Sequence, residues 1–346
     1  MHAASESVSV HAAPVVRLSV VVPAYRSPAR LADALQALRG SRCPVPFELI
    51  CVDDGSDDRG ETAAVADRYA DRVVRLDAPS AGPAAARNAG ATIAVGEWVC
   101  FVDADVRVGP DTLSALWQSI QRHPEASAIF GCYDARVADQ PLVSQYRNLM
   151  HRYVHLRGAG PAETFWAGLG AVRRDRFVAV GGFDAARFPR PSVEDIDLGY
   201  RLRDAGDRLV LDPSIEATHL KVWTLGSILR TDFASRALPW LRLLLARGAT
   251  RPRALNVRPA ERLRVAVVGA ALAGAVLALG SGRPRAALGL LVLLVVTGAS
   301  HLGLLAFLYR AGGLRLLCVA IPLQVLYYAS NAIAAVAALA RQVLRR

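Results

Sequence analysis

Between Arg17 and about Ile129, short apolar runs rich in β-branched residues alternate with longer segments of helical periodicity. "LSVVVPAY" is stopped by Pro23. "SPARLADALQALRG" then spaces Leu31, Leu35 and Leu38 as a helix does, with Ser27 at the N-cap, Pro28 at N1 and Gly40 at the end. "FELICVDDGS", "VVRLDA" and "EWVCFVDAD" read as further strands, and "ETAAVADRYA", "GPAAARNAGATIA" and "PDTLSALWQSIQRH" as helices between and after them. Strands separated by helices of this length lie parallel, with the helices packed on both faces of the sheet. Ligands of such sheets bind beyond the carboxyl ends of the strands. The acids of "VDDGS" and "VDADV" therefore fall on the ligand-binding edge.

Asp103 and Asp105 in "VDADV" deserve a physical account. Residues i and i+2 of an extended chain point to the same side, so two carboxylates are held a few ångströms apart. Without a cation they repel, and one is driven towards protonation. A hard divalent ion with oxygen ligands, Mg²⁺ or Mn²⁺, removes that repulsion and keeps positions open for phosphate oxygens. "VDDGS" has two readings: a turn built from Asp and Gly, or a carboxylate that accepts hydrogen bonds from a nucleoside. "EDIDLGYRLRDAGDRLVLDPS" reads as a helix, a glycine turn and a strand. Acids in its first turn suit the helix dipole whatever their chemistry.

Six short elements, taken in order, resemble family 2 glycosyltransferases of the GT-A fold: "VVPAY", "VDDGS", "GPAAARNAG", "FVDAD", "GGFD" and "EDIDLGYRLRDAG". The resemblance covers roughly residues 17–225. It implies that Pro23, Ala24 and Tyr25 lie beside the nucleotide base and that Asp54 bonds the polar edge of that base. Arg87 and Asn88 are implied to face the nucleotide, which agrees with the attraction of phosphates to a helix N-terminus. Asp105 is implied as the metal ligand, with Asp103 shared between ribose and metal, and His219 in "ATHLKVW" as a residue that completes the metal site. Inverting sugar transfer needs a carboxylate to take the proton of the acceptor hydroxyl. The resemblance assigns that role to Asp195, with Glu194 as its neighbour on the acceptor. Trp166, in "TFWAGLGAVRRDRF", is implied as a platform for the acceptor; its other reading is core packing. The Q-x-x-R-W element of processive synthases is absent, which argues for transfer of a single sugar. "RALPW", Arg236 to Trp240, occupies that part of the chain without matching it.

From Leu263 the character of the chain changes. Residues 263–280 carry one charge, Arg264, while residues 286–309 and 316–339 carry none. Roughly 20 residues cross a hydrocarbon core as a helix, so 263–280, 286–309 and 316–339 are three candidate spans. The piece from His301 to Tyr309 also reads as an interfacial segment. The net charge is +11, and eight arginines fall between Arg230 and Arg262 against Asp232 and Glu261. Placed directly before the spans, these point to the cytoplasmic face of a membrane. Nucleic acid is not expected as a partner, because no nucleic-acid-binding motif is present. Five scattered cysteines without a C-x-x-C pair suit a reducing compartment.

The expected organisation is a disordered lead-in at 1–16, a GT-A α/β domain with a doubly wound, mostly parallel sheet at 17–225, and an Arg-rich juxtamembrane segment at 226–262. Transmembrane helices at 263–340 and a basic tail at 341–346 complete it. The expected activity is metal-dependent transfer of one sugar from a nucleotide-diphosphate sugar to a lipid-linked or glycan acceptor at the inner (cytoplasmic) membrane. A non-catalytic membrane-bound binding subunit is the alternative from another class; intact "DAD" and "ED" count against it. A nucleotidyltransferase is a third reading, and it lacks a Gly-rich, Lys-containing phosphate loop near the first strand.

Overall fold

The computed structural model describes residues 15–77, 79–248 and 259–344. Most of the expected lead-in, the arginines at 251, 253 and 258 and the last two arginines lie outside these residues. The first half alternates as its pattern predicts: β1 (Leu18–Ala24), α1 (Pro28–Gly40), β2 (Phe47–Asp53), α2 (Glu61–Tyr69), β3 (Arg72–Arg75), α3 (Pro83–Ile93) and β4 (Trp98–Val102). Then come β5 (Val106–Val108), α4 (Thr112–Arg122), β6 (Ala126–Tyr133), α5 (Leu142–Arg157), β7 (Gly160–Ala162), β8 (Leu169–Arg173), α6 (Arg174–Ala179), α7 (Glu194–Asp204) and β9 (Arg208–His219).

One sheet runs in the order β3-β2-β1-β4-β8-β6-β9-β5, with β7 also paired to β9. The first four strands are mutually parallel. β8 then inserts antiparallel to both β4 and β6, and β5 pairs antiparallel with β9. Alternate residues feed two cores. Leu18, Val20 and Val22 meet Leu31, Leu35, Leu116 and Trp117 on one face. Val21, Ile50 and Val52 meet Ala84, Ala86, Leu198 and Leu202 on the other. Near-continuous apolar strands such as β4 and β6 follow from burial on both faces. The five cysteines are all unpaired.

Beyond β9 the chain is helical: α8 (Leu225–Arg230), a π-helical segment (Thr231–Ala237), α9 (Leu238–Ala246), α10 (Pro259–Gly280), α11 (Pro284–Ala299) and α12 (Leu302–Val343). α12 is kinked at Gly313, whose φ of 63° departs from helical geometry. Among the described residues two helices are long and apolar enough to cross a membrane, Pro259–Gly280 and Leu302–Arg341; Pro284–Ala299 is shorter. The uncharged run at 286–309 is thus not one continuous helix. The Thr297 hydroxyl bonds back to the Leu293 carbonyl and the Ser300 hydroxyl to the Thr297 carbonyl, just before the next helix starts after His301. Such side-chain bonds to the preceding turn compete with helix continuation.

α5 joins this helical part to the sheet. Leu149, Met150 and Tyr153 pack on Leu304, Leu308 and Leu316. The Tyr146 hydroxyl donates to Gln324 Oε1 at 2.8 Å in a buried contact. The approach is close at Gly303, where a Cβ would stand 2.5 Å from the Tyr153 hydroxyl oxygen.

Candidate active site

The carboxyl ends of β1, β2 and β4 open into a cavity of about 1370 Å³. Its walls include Pro23, Ala24 and Tyr25 from the end of β1, Asp54 after β2, and Asp103 and Asp105 after β4. α3 and α7 both start at this cavity, so their N-terminal dipoles favour negative charge there.

The entry to α3 is shaped by Asp54, which is buried. Its carboxylate accepts the Ala81 and Gly82 N–H groups at 2.9 Å and the Ser80 hydroxyl at 2.5 Å. Gly82 has φ +91°, and a Cβ on it would stand 2.4 Å from the Pro189 carbonyl oxygen, so only glycine suits this turn.

β5 and β9 pair with Val106 opposite His219, which brings Asp105 and His219 together. Asp105 Oδ2 and His219 Nε2 are 3.5 Å apart. The other ring nitrogen is fixed by a relay. Gln140 Nε2 donates to the His219 carbonyl at 2.9 Å, Asn148 Nδ2 donates to Gln140 Oε1 at 2.7 Å, and His219 Nδ1 lies 2.8 Å from Asn148 Oδ1. Because Asn148 Oδ1 only accepts, Nδ1 carries a proton, and Nε2 faces the Asp105 carboxylate. A ring nitrogen and a carboxylate so placed are bridged by a proton or a metal cation. The imidazole is also stacked on Tyr133, with ring centroids 4.4 Å apart and planes 7° apart.

These residues fit a divalent ion with few protein ligands. Among the described residues no three His, Cys, Asp or Glu side chains converge into a metal site. Asp105 and His219 would supply one oxygen and one nitrogen and leave other positions to phosphate oxygens, as suits Mg²⁺ or Mn²⁺. Burial alone would raise the Asp105 pKa, but the bond and charge of His219, with Lys221 and Arg30, hold it below the ordinary value. Asp103 is shifted the other way. Burial and the charge of Asp105 push it up against the pull of Arg87.

Arg87 on α3 ties the acids together. It donates to Asp103 Oδ1 at 2.7 Å and to Glu194 Oε1 at 3.0 Å, and its side chain is only 7% exposed. Burial works against its charge, yet Asp103 and Glu194 outweigh burial and raise its pKa. Glu194 is fully engaged, since its second oxygen accepts the Ser192 N–H at 2.8 Å. Asp195 is different. Its Oδ1 accepts the Ile196 N–H at 2.8 Å and its Oδ2 the Ala167 N–H at 3.3 Å, with no cationic partner bonded among the described residues. Burial, with the charge of Glu194 added and that of Arg87 opposing, raises its pKa to about 7. A carboxylate poised there can take and return protons at neutral pH.

Of the residues singled out in the sequence, Pro23, Ala24, Tyr25, Asp54, Arg87, Asp103, Asp105, Trp166, Glu194, Asp195 and His219 share this cavity. Asn88 does not line it. Its amide is spent on both backbone groups of Phe183, accepting the N–H at 2.9 Å and donating to the carbonyl at 2.8 Å. Trp166 packs edge-on to Tyr133 and near His151, so it combines wall and core roles. Sequence reasoning missed Gln140, Asn148, Arg147, Lys221 and the cavity-facing Arg236. Only Arg236 and Trp240 left a trace, in "RALPW".

The sequence profile described as Glycosyl transferase family 2 matches residues 19–180. Over 216 residues the chain is 30% identical to the N-acetylglucosaminyl-diphospho-decaprenol L-rhamnosyltransferase of Mycobacterium tuberculosis, covering 52% of this chain and 69% of that enzyme. Over 122 residues it is 30% identical to the poly(ribitol-phosphate) beta-glucosyltransferase of Bacillus spizizenii, covering 34% of this chain and only 19% of that relative. In structure it is similar to the mannosyltransferase PcManGT from Pyrobaculum calidifontis, solved with GDP-Man and Mn²⁺, with a TM-score of 0.57 at 19% identity over 94% of this chain and 90% of that one. At that identity the likeness concerns the fold.

Proposed function

The chain belongs to glycosyl transferase family 2 and has its GT-A fold, and we propose that it is an inverting transferase moving one sugar from a nucleotide-diphosphate sugar to an acceptor at a membrane. The observation that carries this reading is the opening of Asp105, Arg87 and Asp195 into one cavity, with Asp195 poised near neutrality.

In this mechanism the base lies beside Pro23, Ala24 and Tyr25, at the edge held by Asp54. The diphosphate faces the N-terminus of α3, whose free N–H groups and dipole favour it. Asp105 and His219 would hold Mg²⁺ or Mn²⁺, with Asp103 shared between ion and ribose; when bound, the ion stabilises charge on the departing diphosphate. Asp195 accepts the proton of the acceptor hydroxyl. The oxygen so freed forms a bond to the anomeric carbon as the bond from that carbon to the diphosphate oxygen breaks on the opposite face. The configuration inverts and the nucleoside diphosphate leaves. Glu194 and Asp103 hold Arg87 between them, so Glu194 orients the cluster and does not touch the acceptor. Fixing the reactants in this geometry supplies much of the rate.

A membrane setting is supported by α10 and α12. Only 22% and 28% of their most apolar windows are buried, and side chains such as Leu277 and Val336 are exposed. Such a surface is costly in water and at home in lipid. The arginines before α10 support a catalytic domain on the cytoplasmic side of the cell membrane. The acceptor is then lipid-linked or a precursor of a cell-envelope glycan. The test is transfer from labelled nucleotide sugars in membranes carrying Asp105→Ala or Asp195→Asn. Loss in both is expected; undiminished transfer in both ends this mechanism.

A further inference from the structure

The cavity does not stop at the strand ends. Its far wall is apolar and built from Leu244 on α9, Val265, Ala266 and Ala270 on α10, and Ala332 and Ala335 on α12. Small residues set this wall: a Cβ on Gly269 would lie 3.0 Å from the Ala332 Cβ, so the two helices approach closely beside the opening. Two guanidinium groups, Arg147 and Arg236, line the same cavity as Asp195 and the apolar wall. Arg147 pairs with Asp232 at 2.6 Å and is 4% exposed, yet its Nη1 is buried without a partner. Arg236 makes no hydrogen bond or ion pair among the described residues, and Asp195 is among the charges that act on it. One acid, Asp232, thus serves both the buried Arg147 and the half-buried Arg236. Glu261, which lines the cavity from α10, is taken by Arg264 and the Tyr328 hydroxyl. Burial and Arg147 together lower the Arg236 pKa, as an uncompensated cation requires.

We infer that this end of the cavity binds an amphiphilic acceptor, with a phosphate group on Arg236 and Arg147 and its hydrocarbon chain between α9, α10 and α12. Phosphate oxygens match the fork of an arginine and neutralise the surplus charge. The apolar wall gains by covering a hydrocarbon chain and gains nothing from a free glycan. A neutral lipid alcohol would cover the half-buried Arg236 without supplying a counter-charge. Only a ligand with both parts satisfies both walls, and its hydroxyl-bearing head then reaches Asp195. This inference rests on the glycosyl-transfer reading of the cavity.

The experiment uses the full chain in non-ionic detergent with geranylgeranyl phosphate carrying a photoreactive diazirine near its tail. Labelled peptides from α9, α10 or α12 are expected. Unlabelled geranylgeranyl phosphate should suppress labelling, and geranylgeraniol or inorganic phosphate should not. Arg236→Ala and Ala266→Trp, the latter filling the groove, should each lower labelling about tenfold, with part restored in Arg236→Lys. Equal competition by geranylgeraniol, equal competition by inorganic phosphate, or labelling indifferent to Arg236→Ala overturns the proposal. UDP and GDP binding with Mn²⁺ is measured on the same samples. A protein that takes the lipid phosphate but neither nucleotide sinks the transferase reading alone, and one that binds nucleotide but shows no competed labelling sinks this site alone.

Discussion

Arg87 donates to Glu194 at 3.0 Å across 107 residues of sequence, and the same guanidinium reaches Asp103 at 2.7 Å. One side chain thus locks the N-terminus of α7, which carries Asp195, to the acids at the end of β4. Removing it leaves Glu194 buried with no counter-charge and Asp103 facing Asp105. Loss of one partner of a buried ion pair costs about 3–5 kcal/mol. Arg87→Ala is therefore expected to lower the thermal unfolding midpoint strongly as well as to abolish transfer. Arg87→Lys should recover only part of the stability, because an ammonium cannot span both acids as a fork does. An alanine variant as stable as the parent would show that the lock carries no energy.

Asp195 sets the dependence on pH. With its pKa raised to about 7, kcat/KM should rise with pH through that value as the carboxylate becomes able to accept a proton. Stability should move the other way. The folded state holds a proton on Asp195 between the ordinary carboxylate range and about pH 7, where the unfolded chain has lost it, so stability falls as pH rises through that window. Asp195→Asn should accordingly unfold at a higher temperature than the parent at pH 8, lose that advantage near pH 4, and be inactive at both. A pH–rate profile flat from 5.5 to 8.5 in the parent would remove Asp195 from the role of base.

The relay Gln140–Asn148–His219 makes a prediction about metal that is separable from turnover. Asn148 holds the imidazole with Nε2 towards Asp105, and partners of metal-bound histidines typically tune affinity by about 10–100-fold. His219→Ala should weaken Mn²⁺ binding most and Asn148→Ala should weaken it within that range, read by Mn²⁺ electron paramagnetic resonance in the presence of a nucleoside diphosphate. Chelation should stop transfer, and added Mn²⁺ should restore it. Unchanged Mn²⁺ affinity in both variants would assign the pair to a protonated His219–Asp105 contact.

The half of the sheet from β1 to β4 was legible because its signals are local: β-branched runs, Pro28 and Pro83 at helix starts, and acids where strands end. The same locality revealed which residues gather at the cavity. It did not reveal their partners. β8 inserts antiparallel between β4 and β6, and β5 pairs with β9. Both depend on long-range register, which no short pattern encodes. Glu194 lines the cavity, but its carboxylate is consumed by Arg87 and the Ser192 N–H. Arg147 and Asp232, in direct contact at 2.6 Å, lie on elements whose neighbourhood only the folded chain defines. The break at Ser300 and His301 was open in the sequence only as the alternative reading of the piece from His301 to Tyr309, because an uncharged run has the same composition whether it forms one helix or two.

Asn88 is the clearest case of right element and wrong partner. On α3 it lies next to Arg87, yet its amide closes a two-point clamp on the Phe183 backbone at 2.8 and 2.9 Å. The clamp holds the turn at Gly181 and Gly182, both with positive φ, on the way to α7. Alanine at this position leaves a backbone N–H and a carbonyl without their partners, at about 1–3 kcal/mol for each buried group left unsatisfied. Asn88→Ala should thus lower the unfolding midpoint by several degrees, whereas nucleotide affinity, measured below that midpoint, should change by less than about threefold, or under 1 kcal/mol. Asn88→Asp keeps the acceptor but loses the donor and should fall between parent and alanine in stability. If the alanine variant instead kept its midpoint and lost nucleotide binding, the amide would belong to the donor site, and the clamp would be incidental.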